Sequence, residues 1–138
     1  MKSKIAGMHI ETAAQAATLF SDVAKIAGAQ EGFFVLPLDY GGKILALPIM
    51  VSIGDKDGMV AVNPKDVFKE AFRAGADAII VAHNHPSGKL MPSKADLRLT
   101  EELKSRAEWL GLEFIDHIIL GSSDSANGLD FVSLAEVV

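Results

Sequence analysis

The sequence predicts an α/β fold: a mixed β-sheet flanked by helices. Three observations carry this. Apolar runs of strand character alternate with segments whose apolar residues recur at helical spacing. Two early strand-like runs are joined by the turn chemistry of residues 39–42 (DYGG), which implies an antiparallel start. A later run, residues 76–83 (ADAIIVAH), is almost continuously apolar, as a strand buried on both faces must be.

Each element has a local reason. Residues 11–28 place Ala16, Leu19, Phe20, Val23, Ile26 and Ala27 at helical spacing, with Gly28 as a stop. Residues 31–39 (EGFFVLPLD) read as a strand and residues 43–54 as its hairpin partner, with Pro48 marking an edge or a bulge. Residues 58–62 offer a third strand. Asn63 and Pro64 supply the cap and first position of a helix that Gly75 ends, with Val67, Phe68, Ala71 and Phe72 on one apolar face. Residues 92–111 form a long helix striped by Leu99, Leu103, Ala107 and Leu110, with Trp109 packing at its end and Gly111 stopping it. Residues 113–121 (EFIDHIILG) make another strand, and residues 122–128 a polar loop. The last ten residues are too short to assign. With no repeat, low-complexity tract or linker, the chain reads as one domain over residues 1–138.

Composition narrows the function. Residues are 49% hydrophobic and 22% charged, which describes a globular chain. There is no cysteine, so a disulfide framework, a thiolate metal site and a cysteine nucleophile are excluded, as is a cysteine-ligated deaminase zinc site. The net charge of -5 counts against strong non-specific nucleic-acid binding. No apolar stretch approaches the roughly 20 residues that span a bilayer, and the first ten residues lack the apolar core of a signal peptide. A cytoplasmic protein without a membrane partner is expected.

The chemistry concentrates in residues 81–96 (VAHNHPSGKLMPSKAD). His83 and His85 end the buried strand. In extended chain, residues two apart point the same way, with α-carbons roughly 6–7 Å apart, so the two imidazoles can converge on one ion. Pro86 turns the chain away, and Asp96 falls in the first turn of the next helix, from which its carboxylate can reach back. Two histidines, one aspartate and an open position make the pattern of a catalytic zinc site, and imidazole nitrogen favours zinc over magnesium. Asp96 also has a purely local account: with Ser93 it forms a capping-box pattern.

These residues resemble the RadC family of JAB/MPN (JAMM-type) domains. The JAMM pattern of an upstream glutamate, His-x-His, proline, a short gap and Ser-x-x-Asp is matched by His83, His85, Pro86, Ser93 and Asp96. The likeness runs from QEGFFVLPLD through NPKDVFKEAFRAGADAIIVAHNHPSG to DHIILG. It implies a JAB/MPN (cytidine-deaminase-like) architecture and a zinc-dependent hydrolase of peptide or isopeptide bonds, acting on a peptide or protein. It implies that His83, His85 and Asp96 hold Zn2+, that Glu31 is the general base, and that the Ser93 hydroxyl donates to the oxyanion. Read locally, Glu31 is a solvated strand-end charge and Ser93 a helix cap. Glu11 is the nearest rival base, but it begins a helix whose first turn favours an acid. Asp116 and His117 also belong to the RadC-like pattern; they point to opposite faces, so one can reach toward the site, but a hydrogen-bonded core or edge role is the favoured reading. His9 carries no functional signal.

Two departures are visible. RadC proteins usually carry a helical DNA-binding region before this domain, and only the stretch ending at Gln30 precedes Glu31. The gap from Pro86 to Ser93 and the connection at residues 54–58 are both short, leaving little with which to grip a large folded substrate. Two rival readings come from other classes. One is a DNA-repair-associated or nucleic-acid-interacting module, which the family's historical label suggests and the acidic balance opposes. The other is a non-catalytic MPN scaffold, which typically loses the metal ligands retained here.

Overall fold

A computed structural model describes residues 7–27, 31–53, 62–85, 87–121 and 129–137. In chain order the elements are α1 (Ala13–Ala27), β1 (Gly32–Leu38), β2 (Ile49–Ile53), α2 (Pro64–Arg73), β3 (Ala78–Asn84), α3 (Lys94–Trp109), β4 (Glu113–Leu120), β5 (Phe131–Ser133) and α4 (Leu134–Val137). The five strands form one sheet in the order β2-β1-β3-β4-β5. β1 is antiparallel to both β2 and β3, β3 and β4 are parallel, and β5 is antiparallel to β4. The sheet is therefore mixed and flanked by helices. Its one parallel pair is joined through α3, the long crossover that a parallel connection requires.

Strand periodicity divides the core in two. Phe34, Leu36 and Leu38 of β1, Ala78, Ile80 and Ala82 of β3, and Ile118 and Leu120 of β4 meet Ala16, Ala17 and Phe20 of α1. Phe33 and Val35, with Ile79 and Val81, face the other way against Val67, Phe68 and Ala71 of α2 and Leu103 and Ala107 of α3. β3 is covered on both faces, and Ala78 to His83 are all buried, as its unbroken apolar run requires. By the same alternation, His83 follows Ile79 and Val81 to the face covered by α2 and α3.

β4 departs from simple alternation. Ile79 pairs with Phe114 and Ile80 with Asp116, so Ile115 is an extra residue at a register shift. Phe114 packs on the α2–α3 side. Without the shift, Asp116 would share that side with it. With the shift, His117, opposite Val81, takes the position instead, and Asp116 turns away.

The caps follow the sequence. Asn63 accepts from the Lys65 N–H with Pro64 behind it, and Ser93 and Asp96 form a complete capping box at α3. Gly75 and Gly111 follow their helices with φ of 75° and 71°.

Several expectations need correction. The second strand does not run through residues 43–54: β2 begins at Ile49, while Ile44 makes only an isolated bridge to Leu38. Pro48, which has no amide hydrogen to give a ladder, separates the two, and β2 is an edge strand. Glu11 lies before α1, whose first turn holds no acid; Thr12 and Gln15 cap that helix reciprocally. Phe72 is 48% exposed, because it lies about 40° beyond Phe68 around the helix, at the rim of the face. Trp109 does not pack; it is 89% exposed, about 200° around α3 from buried Ala107. Leu110, expected in the stripe, is the half-exposed C-cap residue where the chain leaves the helix. The closing residues, left unassigned from sequence, form β5 and α4. The stop at Gly28, the turn at Pro86, the brief connection at 54–58, nearly all of the expected strand at 58–62 and the polar loop at 122–128 lie outside the described residues.

Candidate metal centre

The centre forms where the end of β3, the start of β1 and the first turn of α3 meet. His83, the penultimate residue of β3, is 3% exposed, and its ring stacks on Phe33 at 5.9 Å between centroids. His85 lies just beyond the strand and is still tied to the sheet, because its N–H donates to the Leu120 carbonyl of β4 (2.8 Å). The two Nε2 atoms are 2.9 Å apart.

The aspartate arrives from the other side. Asp96 Oδ1 is 3.2 Å from His83 Nε2, and Oδ2 is 3.4 Å from His85 Nε2. Its Oδ2 also accepts from the Ser93 N–H (2.9 Å), and Ser93 Oγ accepts from the Asp96 N–H (3.0 Å). Capping and proximity to the histidines coexist, since a carboxylate has lone pairs for both. The cap engages only the acceptor side of the Ser93 hydroxyl.

Glu31 enters from the residue before β1. One ligand atom from each of Glu31, His83 and His85 lies within 4.8 Å of the other two, which makes a candidate metal-binding cluster. Asn84 positions this end of β1: its Oδ1 accepts from the Gly32 N–H (2.8 Å). The residue between the two histidines thus ties β3 to the strand that follows Glu31.

The surrounding loop orients His85. Gly88, with φ of 80°, turns the chain so that its N–H donates to the His85 carbonyl (2.9 Å) and the Lys89 carbonyl accepts from His85 Nδ1 (2.8 Å). A carbonyl only accepts, so Nδ1 carries the hydrogen, and in the neutral ring the Nε2 lone pair faces the cluster. This loop lies close over Gly121, where a Cβ would come within 2.7 Å of Leu90 Cδ2 and 3.1 Å of the Gly88 carbonyl.

On the side away from the cluster, His83 Nδ1 is 2.9 Å from His117 Nε2, and His117 Nδ1 is 2.6 Å from Thr100 Oγ1. The neighbouring Asp116 faces elsewhere. It accepts from the Ser133 hydroxyl and from the Ala135 N–H, so it pins β5 and α4 against β4. Of the two residues whose roles the sequence left open, His117 reaches His83 and Asp116 has a hydrogen-bonded core role. Thr100 carried no signal of its own beyond lying four residues after Asp96, on the same helical face.

The electrostatics reflect the closeness of these groups. Burial alone would raise the Asp96 pKa, but the closeness of the His83 and His85 rings, which can carry a proton, and the hydrogen bond from the Ser93 N–H hold the carboxyl well below the usual range. The hydrogen bond with Asp96 raises His85, against desolvation. Burial pushes His117 down to about 3, helped by the nearby His83 charge. With both rings neutral and both Nε2 atoms bare, two lone pairs 2.9 Å apart facing a carboxylate repel unless a positive charge lies among them. A proton or a divalent metal ion fits that demand, and a set of imidazole nitrogen and carboxylate oxygen suits a borderline ion.

Glu11 is not part of this cluster. His9 is exposed and pairs its ring with the Gly41 carbonyl (3.2 Å). Among the described residues, no helix is long and apolar enough to cross a membrane.

Comparison with known proteins agrees with this architecture. The model of the RadC-like JAB domain matches residues 10–136, almost the whole chain. The chain belongs to the RadC-like JAB domain family. The chain is 49% identical over 96 residues to a UPF0758 protein of Acaryochloris marina, 44% over 96 to one of Cyanothece and 41% over 95 to one of Finegoldia magna. Each alignment covers about 70% of this chain but only 39–42% of the relative, so the chain spans about two fifths of the RadC-like relatives it matches.

Proposed function

We propose that this RadC-like domain is a zinc-dependent hydrolase of peptide or isopeptide bonds. The observation that carries the reading is the convergence of His83 Nε2, His85 Nε2 and both Asp96 oxygens, with the Glu31 carboxylate beside them. The family includes metalloproteases, which supports the same class. His83, His85 and Asp96 would hold the ion, and the ion, when bound, supplies Lewis acidity that makes water a nucleophile near neutral pH. Glu31, whose carboxylate lies beside the two histidines, takes the proton from the attacking water and returns it to the leaving amine. The proton of Ser93, which its cap does not use, is available to the developing oxyanion. The substrate is a peptide or protein, and the acidic balance of the chain disfavours nucleic acid as the partner.

Metal analysis with peptide hydrolysis tests this. Wild type should purify with one equivalent of zinc, while His85→Ala and Asp96→Ala should lose it. Glu31→Gln should keep zinc but lose roughly 10²- to 10⁴-fold in hydrolysis, the range for one general base. A Glu31→Gln protein as active as wild type would remove Glu31 from the base role. A wild type that folds but binds no metal would favour a scaffold.

A further inference from the structure

Thr100 lies one helical turn after Asp96 on α3. Its hydroxyl donates to the Asp96 carbonyl (2.8 Å). A hydroxyl has one proton, so at its second contact, 2.6 Å from His117 Nδ1, Oγ1 can only accept. His117 Nδ1 therefore carries a hydrogen. In the neutral ring, His117 Nε2 is then an acceptor, and its contact is His83 Nδ1 at 2.9 Å. His83 Nδ1–H must donate there, which leaves the His83 Nε2 lone pair facing Asp96 and His85. The direction of every bond in the chain follows from the single proton of the threonine.

We propose that Thr100 is a positioning residue that, through His117, selects the His83 tautomer whose Nε2 is open to a cation. The inference rests on the metal reading above. His85 has a simpler device for the same end, the Lys89 carbonyl. His83 faces another histidine, which can donate or accept, so its tautomer is undetermined until a third group fixes the direction. Without the threonine hydroxyl, His117 can place its hydrogen on Nε2 and donate to His83 Nδ1. The His83 hydrogen then sits on Nε2, on the face that must be bare for a metal. Thr100 also couples the two halves of the site, because the carbonyl it grips belongs to Asp96 and the relay it directs ends on His83.

The test compares wild type with Thr100→Val, which keeps the shape and removes the hydroxyl, and Thr100→Ser, which restores it. Zinc affinity is measured by competition with a chromophoric chelator, and the His83 tautomer by long-range nitrogen–proton NMR on metal-free protein at pH 8. Thr100→Val should bind zinc about 10- to 100-fold more weakly, the usual effect of losing an outer partner of a ligand. It should also shift His83 toward the Nε2–H form, while Thr100→Ser recovers most of the affinity. Tight wild-type binding unaffected by Thr100→Val overturns this inference alone. So does a loss in Thr100→Val with an unchanged His83 tautomer, or an equal loss in Thr100→Ser. A wild type that binds no zinc overturns the metal reading, and this inference with it.

Discussion

The two ends of α3 are opposites. At its first turns, polar groups are drawn inward: Asp96 meets two histidines, and Thr100 meets His117, whose ring is fully buried. At its last turn, apolar groups are turned outward. Trp109 and Leu110 stand exposed beside Phe72 of α2, with Lys65, Lys69 and Arg106 around them. Between the two, Leu103 and Ala107 hold the helix to the sheet. Enclosing polar groups is costly unless every one is paired, and among the described residues no buried side-chain nitrogen or oxygen lacks a partner. An exposed apolar side chain carries no comparable penalty. The enclosed and fully paired polar end coincides with the cluster that can hold a cation.

If this contrast is right, the middle of the helix is where stability is most sensitive. Leu103→Ala should cost about 2–5 kcal/mol in denaturant unfolding, the range for a buried leucine. A loss well under 1 kcal/mol would mean that α3 is not anchored through its middle.

The polar end should be visible in the pH dependence of the metal-free protein. His117 is held neutral with a pKa near 3, whereas unfolded histidine takes a proton below about 6.5. Stability should therefore fall as pH drops from 6.5 toward 3, by up to about 1.4 kcal/mol per pH unit for that one proton. The lowered Asp96 adds a further loss once pH falls below the ordinary carboxylate range. His85, raised by Asp96, stabilises below 6.5 and loses that contribution as pH rises through its folded value. Urea midpoints between pH 8 and 4.5 should peak near 6.5; a flat profile below that pH would show that the His117 ring is not enclosed as described.

Trp109→Ala should do least. A change within about 0.5 kcal/mol, with zinc content unaltered, is expected for so exposed a side chain. A larger loss of stability would mean that the aromatic end is more than surface.

The corrections follow the same division. The burial of Val67, Phe68, Ala71, Leu103 and Ala107 was legible because helical spacing alone puts them on one face. Phe72, Trp109 and Leu110 were misplaced because spacing does not say how wide the covered face is, nor where a helix end leaves its neighbour. Ser93 and Asp96 were legible as a cap, since a capping box is built within four residues.

What the sequence determined by itself was local: two imidazoles two residues apart at a strand end, an aspartate at the third position of a capped helix, and a central strand apolar on both faces. Covalent geometry and short-range hydrogen bonds fix such relations wherever the chain folds. Only the tertiary structure decided which distant groups join them. Sheet pairing places Glu31 beside histidines 52 and 54 positions later in the chain. One extra residue at Ile115 sends His117 rather than Asp116 to the α3 side. The packing of α3 then sets Thr100 on the ring. A side chain's face reverses with every single-residue slip of register, so the choice belongs to the assembled sheet and not to the strand.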